Sequence, residues 1–158
     1  MKTSLKRAGT VLLSVLLLCT LALSAGAASK LRVGVKFWKT GSDKESMANS
    51  GIDTSREASL TRQSNGTYTL TLPVKHVTKL NVTGYLSGLT IGDVTYDGTL
   101  TGDFNKATAV LTIKNLPASV LTGSDVNKSV LVTCNIQMDL QVLGEINTSA
   151  RMCIWNQK

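Results

Sequence analysis

Apolar and polar positions alternate with a period of two along most of this chain, and the pattern runs longest near the C-terminus. There Val130, Val132, Cys134, Ile136, Met138, Leu140 and Val142 interleave with Leu131, Thr133, Asn135, Gln137, Asp139 and Gln141. Beyond Gly144 a second run sets Ile146, Thr148, Ala150, Met152 and Ile154 against Asn147, Ser149, Arg151, Cys153 and Trp155. Only an extended strand with one buried face produces this period. The two runs predict a long β-hairpin turning at Leu143-Gly144. Its far end, residues 138–148, carries apolar side chains past the reach of a sheet core, and such a surface reads as one wall of a ligand pocket.

The same period upstream predicts the rest of the fold. Leu31, Val33, Val35 and Phe37 mark a first strand. Ser42-Asp43-Lys44-Glu45 has the form of a capping box, which predicts a short helix carrying Ser46, Met47 and Ala48 and ended by Asn49, Ser50 and Gly51. Residues 58–63 and 67–74 flank Ser64-Asn65-Gly66, a hairpin turn, with Tyr68, Leu70, Leu72 and Val74 on the buried row. Leu80 and Val82 mark a further strand, 89–96 another, and Asp97-Gly98 a turn after it. Ala107, Ala109, Leu111 and Ile113 form the next buried row, and 114–128 an irregular connection. About eight short strands with no periodic helix beyond two turns predict an all-β, immunoglobulin-like antiparallel β-sandwich with one short helix after the first strand.

Composition sets the compartment. Lys2, Lys6 and Arg7 precede an almost wholly apolar stretch at 11–23, and Ala25-Gly26-Ala27 supplies small residues for cleavage, so 1–27 reads as an export signal. Cys19 follows Leu16-Leu17-Leu18 rather than a small residue, which argues against a lipid anchor there. The remaining 131 of 158 residues, 28–158, suffice for one domain. They carry 14 basic and 10 acidic side chains, scattered singly, which argues against nucleic acid as a partner. After the signal no apolar stretch approaches the length of a membrane span. The expected location is outside the cell, free or held at the surface through a partner.

The residues give little chemistry for catalysis. His76 is the one histidine, set in the polar connection 75–79, where an exposed loop side chain is expected. Asp97 and Asp103 lie beside glycines, Asp93 in a strand and Glu145 at the hairpin tip, and none has the spacing of a calcium loop. No zinc pattern is present. A binding domain rather than an enzyme is expected. Cys134 and Cys153 would sit opposite one another in a hairpin turning at Leu143-Gly144, which favours a disulfide. Their places on the apolar and polar rows oppose one, since paired residues on adjacent strands share a face. Without a bulge the expectation is one buried thiol and one exposed.

The succession of the strand 33–39, the segment Lys39-Thr40-Gly41-Ser42-Asp43-Lys44-Glu45-Ser46-Met47-Ala48, the hairpin leading into Tyr68-Thr69-Leu70-Thr71-Leu72, and Leu80-Asn81-Val82-Thr83-Gly84 resembles a NEAT (near-iron-transporter) domain. The resemblance spans essentially the whole chain after the export signal, and Lys-x-Gly-x-x-x-Glu-Ser-Met is its most specific part. It implies an exported protein of a Gram-positive bacterium. Many members of that family bind haem, and some bind host haemoproteins. It further implies that the short helix forms a lip over haem, with Ser46, Met47 and Ala48 in contact, and that the terminal hairpin forms the facing wall.

In the family that wall carries a Tyr-x-x-x-Tyr motif whose first tyrosine ligates iron. The matching positions here are about Gly144 and Thr148, neither of them a tyrosine. What remains is an apolar wall of Met138, Leu140, Val142, Ile146 and Thr148. A thioether from Met138 or Met47 is a candidate ligand preferring ferrous iron, although methionines ordinarily fill space. Tyr85 and Tyr96 stand outside the hairpin pattern and are not assigned to the site. Two functions are expected. One is a secreted haem or porphyrin carrier of a bacterial iron-uptake system. The other is an immunoglobulin-like module at the cell surface that binds a receptor or host haemoprotein without haem.

Overall fold

A computed structural model of the chain describes residues 29–79, 82–139 and 144–158. The expected export signal at 1–27 lies outside the described residues. Among the described residues nine strands succeed one another: β1 (Lys30–Lys39), β2 (Ala58–Arg62), β3 (Tyr68–Pro73), β4 (Val77–Lys79), β5 (Val82–Ile91), β6 (Val94–Thr101), β7 (Val110–Leu116), β8 (Val130–Met138) and β9 (Glu145–Asn156). Every ladder between them is antiparallel.

The strands do not divide into the two sheets of a sandwich. They run β5-β6-β7-β3-β2-β1-β9-β8, and β8 pairs back with β5, so eight strands close into a barrel with β4 added on β5. Closure depends on β5. One of its edges pairs with β8 almost from end to end, while the other takes β4 at 82–84 and then β6 at 88–91. The register with β8 shifts between Leu86 and Gly88, a bulge that bends the strand between its two partners. A closed ladder leaves few open strand edges.

Alternate residues fill the interior. Phe37, Leu60, Leu70, Leu72, Leu89, Leu111, Ile113, Met152 and Ile154 are wholly buried. Each contributes about 1.5–3 kcal/mol on burial, so the barrel interior carries the stability. The predicted rows at 70–74, 109–113 and 150–154 are therefore in place.

Several local expectations are corrected. The capping box does not form: Lys39 N–H donates to Lys44 O (2.8 Å) and Ser46 N–H to Phe37 O (2.9 Å), folding 40–45 back on β1. Glu45 instead pairs with Lys36 Nζ at 2.6 Å. In place of the predicted helix stands a single 3-10 turn, Met47–Gly51, capped by Ser46. Asp97-Gly98 is not a turn; the chain reverses at Gly92 (φ 59°), and Gly98 sits within β6. A Cβ on Gly98 would stand 2.4 Å from Leu111 Cδ1, so the glycine admits a core side chain. Val77–Lys79, expected as connection, is β4.

Cys134 and Cys153 form no bridge, and both are buried. The hairpin ladder pairs Cys134 with Thr148 rather than with Cys153. Cys134 faces the interior, while Cys153 Sγ lies under the 126–128 turn, 3.6 Å from Asp125 O, so the expected exposed thiol is covered. Burial pushes the Cys134 thiol up to about 12.

A cleft between the lip and the hairpin

The lip is held by side chains that substitute for a strand partner. Beyond Val33, β1 parts from β2, and its ladder with β2 ends. Asn49 fills part of the gap: Phe37 N–H donates to Asn49 Oδ1 (2.8 Å), and Asn49 Nδ2 donates to Phe37 O (2.7 Å). Ser46 Oγ accepts from Ala48 N–H at 3.3 Å, the cap of the 3-10 turn. Ala48, Gly51 and Ile52 are buried, and Lys75 N–H donates to Gly51 O (2.9 Å). The lip is thus tied to β1 on one side and to the entry into β4 on the other.

The facing wall is the β8–β9 hairpin. Its last ladder pair is Gln137 with Glu145, Met138 N–H donates to Gly144 O (3.2 Å), and Asp139 N–H donates to Thr83 O (2.9 Å). Between lip and hairpin lies a cleft of about 470 Å³, within the range of small-ligand pockets. Met47, Ala48 and Gly51 line it from the lip, and Ile136, Met138, Ile146 and Thr148 from the hairpin. Val77, Val82, Gly84, Tyr85 and Leu86 of β4 and β5 make its floor. Met47 and Ile146 are half exposed, at 51% and 49%.

The structure therefore gathers Met47, Ala48, Met138, Ile146 and Thr148 around one space. Ser46 does not line it; its hydroxyl is used in the cap. Leu140 and Val142 lie outside the described residues. Sequence reasoning missed the whole floor and Ile136. Gly84 carries the reason for the floor: a Cβ there would stand 2.7 Å from Gln137 O and 3.0 Å from Met138 Sδ. Only a glycine lets β8 and its methionine settle this closely on β5.

Tyr85, which the hairpin pattern leaves unassigned, does line the cleft. Its ring is engaged elsewhere. Gly84 pairs with Met138 and Leu86 with Ile136, and paired residues share a face, so Tyr85 projects to the other one. There its ring meets Phe104 at 5.1 Å, and His76 stacks on Phe104 at 3.9 Å. His76 Nε2 lies 3.6 Å from Asp139 Oδ2, too long for a hydrogen bond and an ion pair only when the imidazole is protonated.

The chemistry of the cleft is apolar. No charged side chain lines it among the described residues, and the polar side chains among them are those of Thr148 and of Tyr85, whose ring packs on Phe104. No group of three His, Cys, Asp or Glu side chains able to hold a metal ion occurs among the described residues. A second cleft of about 300 Å³ opens beside β1, flanked by Lys36, Glu45 and Arg56. Its charges serve the fold: Lys36 pairs with Glu45, and Arg56 Nη1 donates to Ala107 O (3.0 Å) and Ala109 O (2.9 Å).

Among solved structures the chain is similar to the NEAT5 domain of IsdX2, a B. anthracis hemophore, in complex with heme. It is equally similar to a point mutant of that domain, also in complex with heme. Both give a TM-score of 0.53 at 12% identity, covering 84% of this chain and 98% or 99% of the other. No protein-family profile and no curated protein sequence matches the chain. The likeness establishes a NEAT-like fold.

Proposed function

We propose that this protein is an exported, non-enzymatic carrier of haem or a related porphyrin in a bacterial iron-uptake system. The ligand lies between the Met47-Ala48 lip and the wall formed by Met138, Ile146 and Thr148. The observation that carries this reading is the apolar cleft of about 470 Å³ between those two elements. Its apolar lining suits a ligand whose faces are apolar and whose charged edge stays in water. The neighbours of the same fold were solved with heme, which supports the same ligand class. Haem, when bound, would supply an iron centre to be carried rather than a reaction to be run. Leu140 and Val142 extend the apolar sequence of the hairpin and belong to the proposed wall on that ground.

Hemin titration of the purified protein tests this. The expected result is a shifted Soret band saturating near one equivalent. Unchanged absorbance and unchanged tryptophan fluorescence, in both ferric and ferrous states, would overturn it. A second reading has one observation in its favour: neither Gly144 nor Thr148 supplies a phenolate. Under it, half-exposed Met47 and Ile146 form an apolar contact for a protein partner at the cell surface.

A further inference from the structure

The described lining of the cleft is apolar, as the faces of a porphyrin ring are, and among its side chains none is an ordinary ligand for ferric iron. Building on the carrier reading, we infer that the ligand is recognised by its flat apolar body alone, so that metal-free porphyrin binds as tightly as hemin. Ferric haem in proteins is ordinarily held by a tyrosinate, a thiolate or an imidazole. The chain has three tyrosines, three cysteines and one histidine to offer. Tyr68 and Tyr96 pack against the core, away from the cleft lining. Tyr85 borders the cleft, but its ring packs on Phe104, on the face of β5 opposite Met138. His76 is stacked on Phe104 beside Asp139 and does not line the cleft. Cys134 and Cys153 are buried in the barrel wall, and Cys19 belongs to the stretch read as an export signal.

The internal segments that the structure does not describe contain none of these side chains: 80–81 read Leu-Asn and 140–143 read Leu-Gln-Val-Leu. Thioethers are what is left, and the sulfur of Met138 is packed down on the floor, 3.0 Å from where a Gly84 Cβ would stand. Charge gives no alternative anchor. With no cation among the described lining residues, the propionate edge of a porphyrin gains nothing by entering. Area buried against the ring faces then sets affinity, and that area is the same with or without a metal.

The test compares hemin with protoporphyrin IX, both followed by quenching of tryptophan fluorescence in the purified protein. The two dissociation constants are expected within about threefold of each other, well under the tenfold that 1.4 kcal/mol would produce. Met138→Ala and Met47→Ala are expected to weaken both ligands by the same factor, leaving the ratio unchanged. Hemin binding thirtyfold or more tighter than protoporphyrin IX would overturn the inference while leaving the carrier reading intact. So would a methionine variant that loses hemin alone. If neither compound binds, the carrier reading fails and this inference with it.

Discussion

Asn49 offers the sharpest test of how the lip is built. Its carboxamide takes the Phe37 N–H at 2.8 Å and gives a hydrogen bond to Phe37 O at 2.7 Å, at a point where β1 has no neighbouring strand on that side. In Asn49→Ala the carbonyl keeps a donor, because Ser46 N–H also reaches Phe37 O. The Phe37 N–H keeps none among the described contacts. An unsatisfied, largely covered amide costs about 1–3 kcal/mol, and the lost hydrogen bond to the carbonyl adds a fraction of one more. The net loss is about 2 kcal/mol. For a domain of this length it lowers Tm by about 6–10 °C if the lip and barrel unfold together. If the lip opens by itself, the same energy appears as a roughly thirtyfold faster hydrogen exchange of the Phe37 amide. Circular dichroism melting and exchange measured on one sample separate the two. Ser50→Ala is the control, since its exposed hydroxyl bonds only Met47 O. A variant that melts within about 1 °C of the parent, with Phe37 still protected, would refute the claim that Asn49 replaces a strand partner.

The hairpin wall, the buried thiol and the crossing glycine each make a further prediction. Ile146 is half exposed on that wall, so Ile146→Asp is expected to leave the free energy of urea unfolding within about 0.5 kcal/mol of the parent's. It should weaken porphyrin binding about tenfold or more, and unchanged affinity would remove the wall from the site. Cys134 has a folded pKa of about 12 against 9.0 for an ordinary thiol, because burial disfavours its thiolate. The unfolded state therefore loses its proton first. The stability tied to this thiol is intact below about pH 9 and falls by up to about 1.4 kcal/mol per pH unit above it. Urea unfolding at about pH 8 and pH 10 should show that extra loss in the parent and not in Cys134→Ala, and equal losses would refute it. Gly98→Ala places a Cβ 2.4 Å from Leu111 Cδ1 and 2.7 Å from Ser87 O. It should destabilise by about 2–3 kcal/mol in chemical unfolding. Gly66→Ala, with open space but φ 83°, should lose only about 1 kcal/mol.

How far the sequence can be read depends on the range of the interaction that decides each feature. Period-two rows such as Leu70 with Leu72 and Met152 with Ile154 are set within one strand, and the structure keeps them, as it keeps the Asn65-Gly66 turn. The choice between Gly92-Asp93 and Asp97-Gly98 as the reversal is not local. Both dipeptides suit a turn, and what places Gly98 inside β6 is Leu111 crossing it from the next strand. Ser42 and Glu45 satisfy a capping-box spacing, but Lys36 on β1 claims the carboxylate. The hairpin register fails for the same reason. Leu143-Gly144 would set Cys134 opposite Cys153, whereas the ladder sets it opposite Thr148. Barrel closure through β5 and β8 joins segments far apart in the chain, such as Leu86 with Ile136, and no periodicity announces it. In the site, lip and hairpin are legible because each carries a local signature. The floor is not, because Gly84 looks like a strand end until Met138 is seen resting on it.

Closure of the ladder also explains why the apolar surplus of the hairpin collects at one end. In an open sandwich, Ile136, Met138 and Ile146 could be covered by a strand shifting along its neighbour. In a ring of eight, moving β8 would break its pairing with β5 and β9 together. The surplus must therefore face outward or face a ligand, and the lip makes the second arrangement available. Covering the exposed halves of Met47 and Ile146 is worth about 2 kcal/mol each at about 25 cal/mol per Å². That is too little for tight binding on its own. Most of the driving force must come from the two faces of the ligand itself. A porphyrin held in this way is therefore expected to bind with an affinity set by its ring faces, and only weakly by the metal or edge substituents it carries.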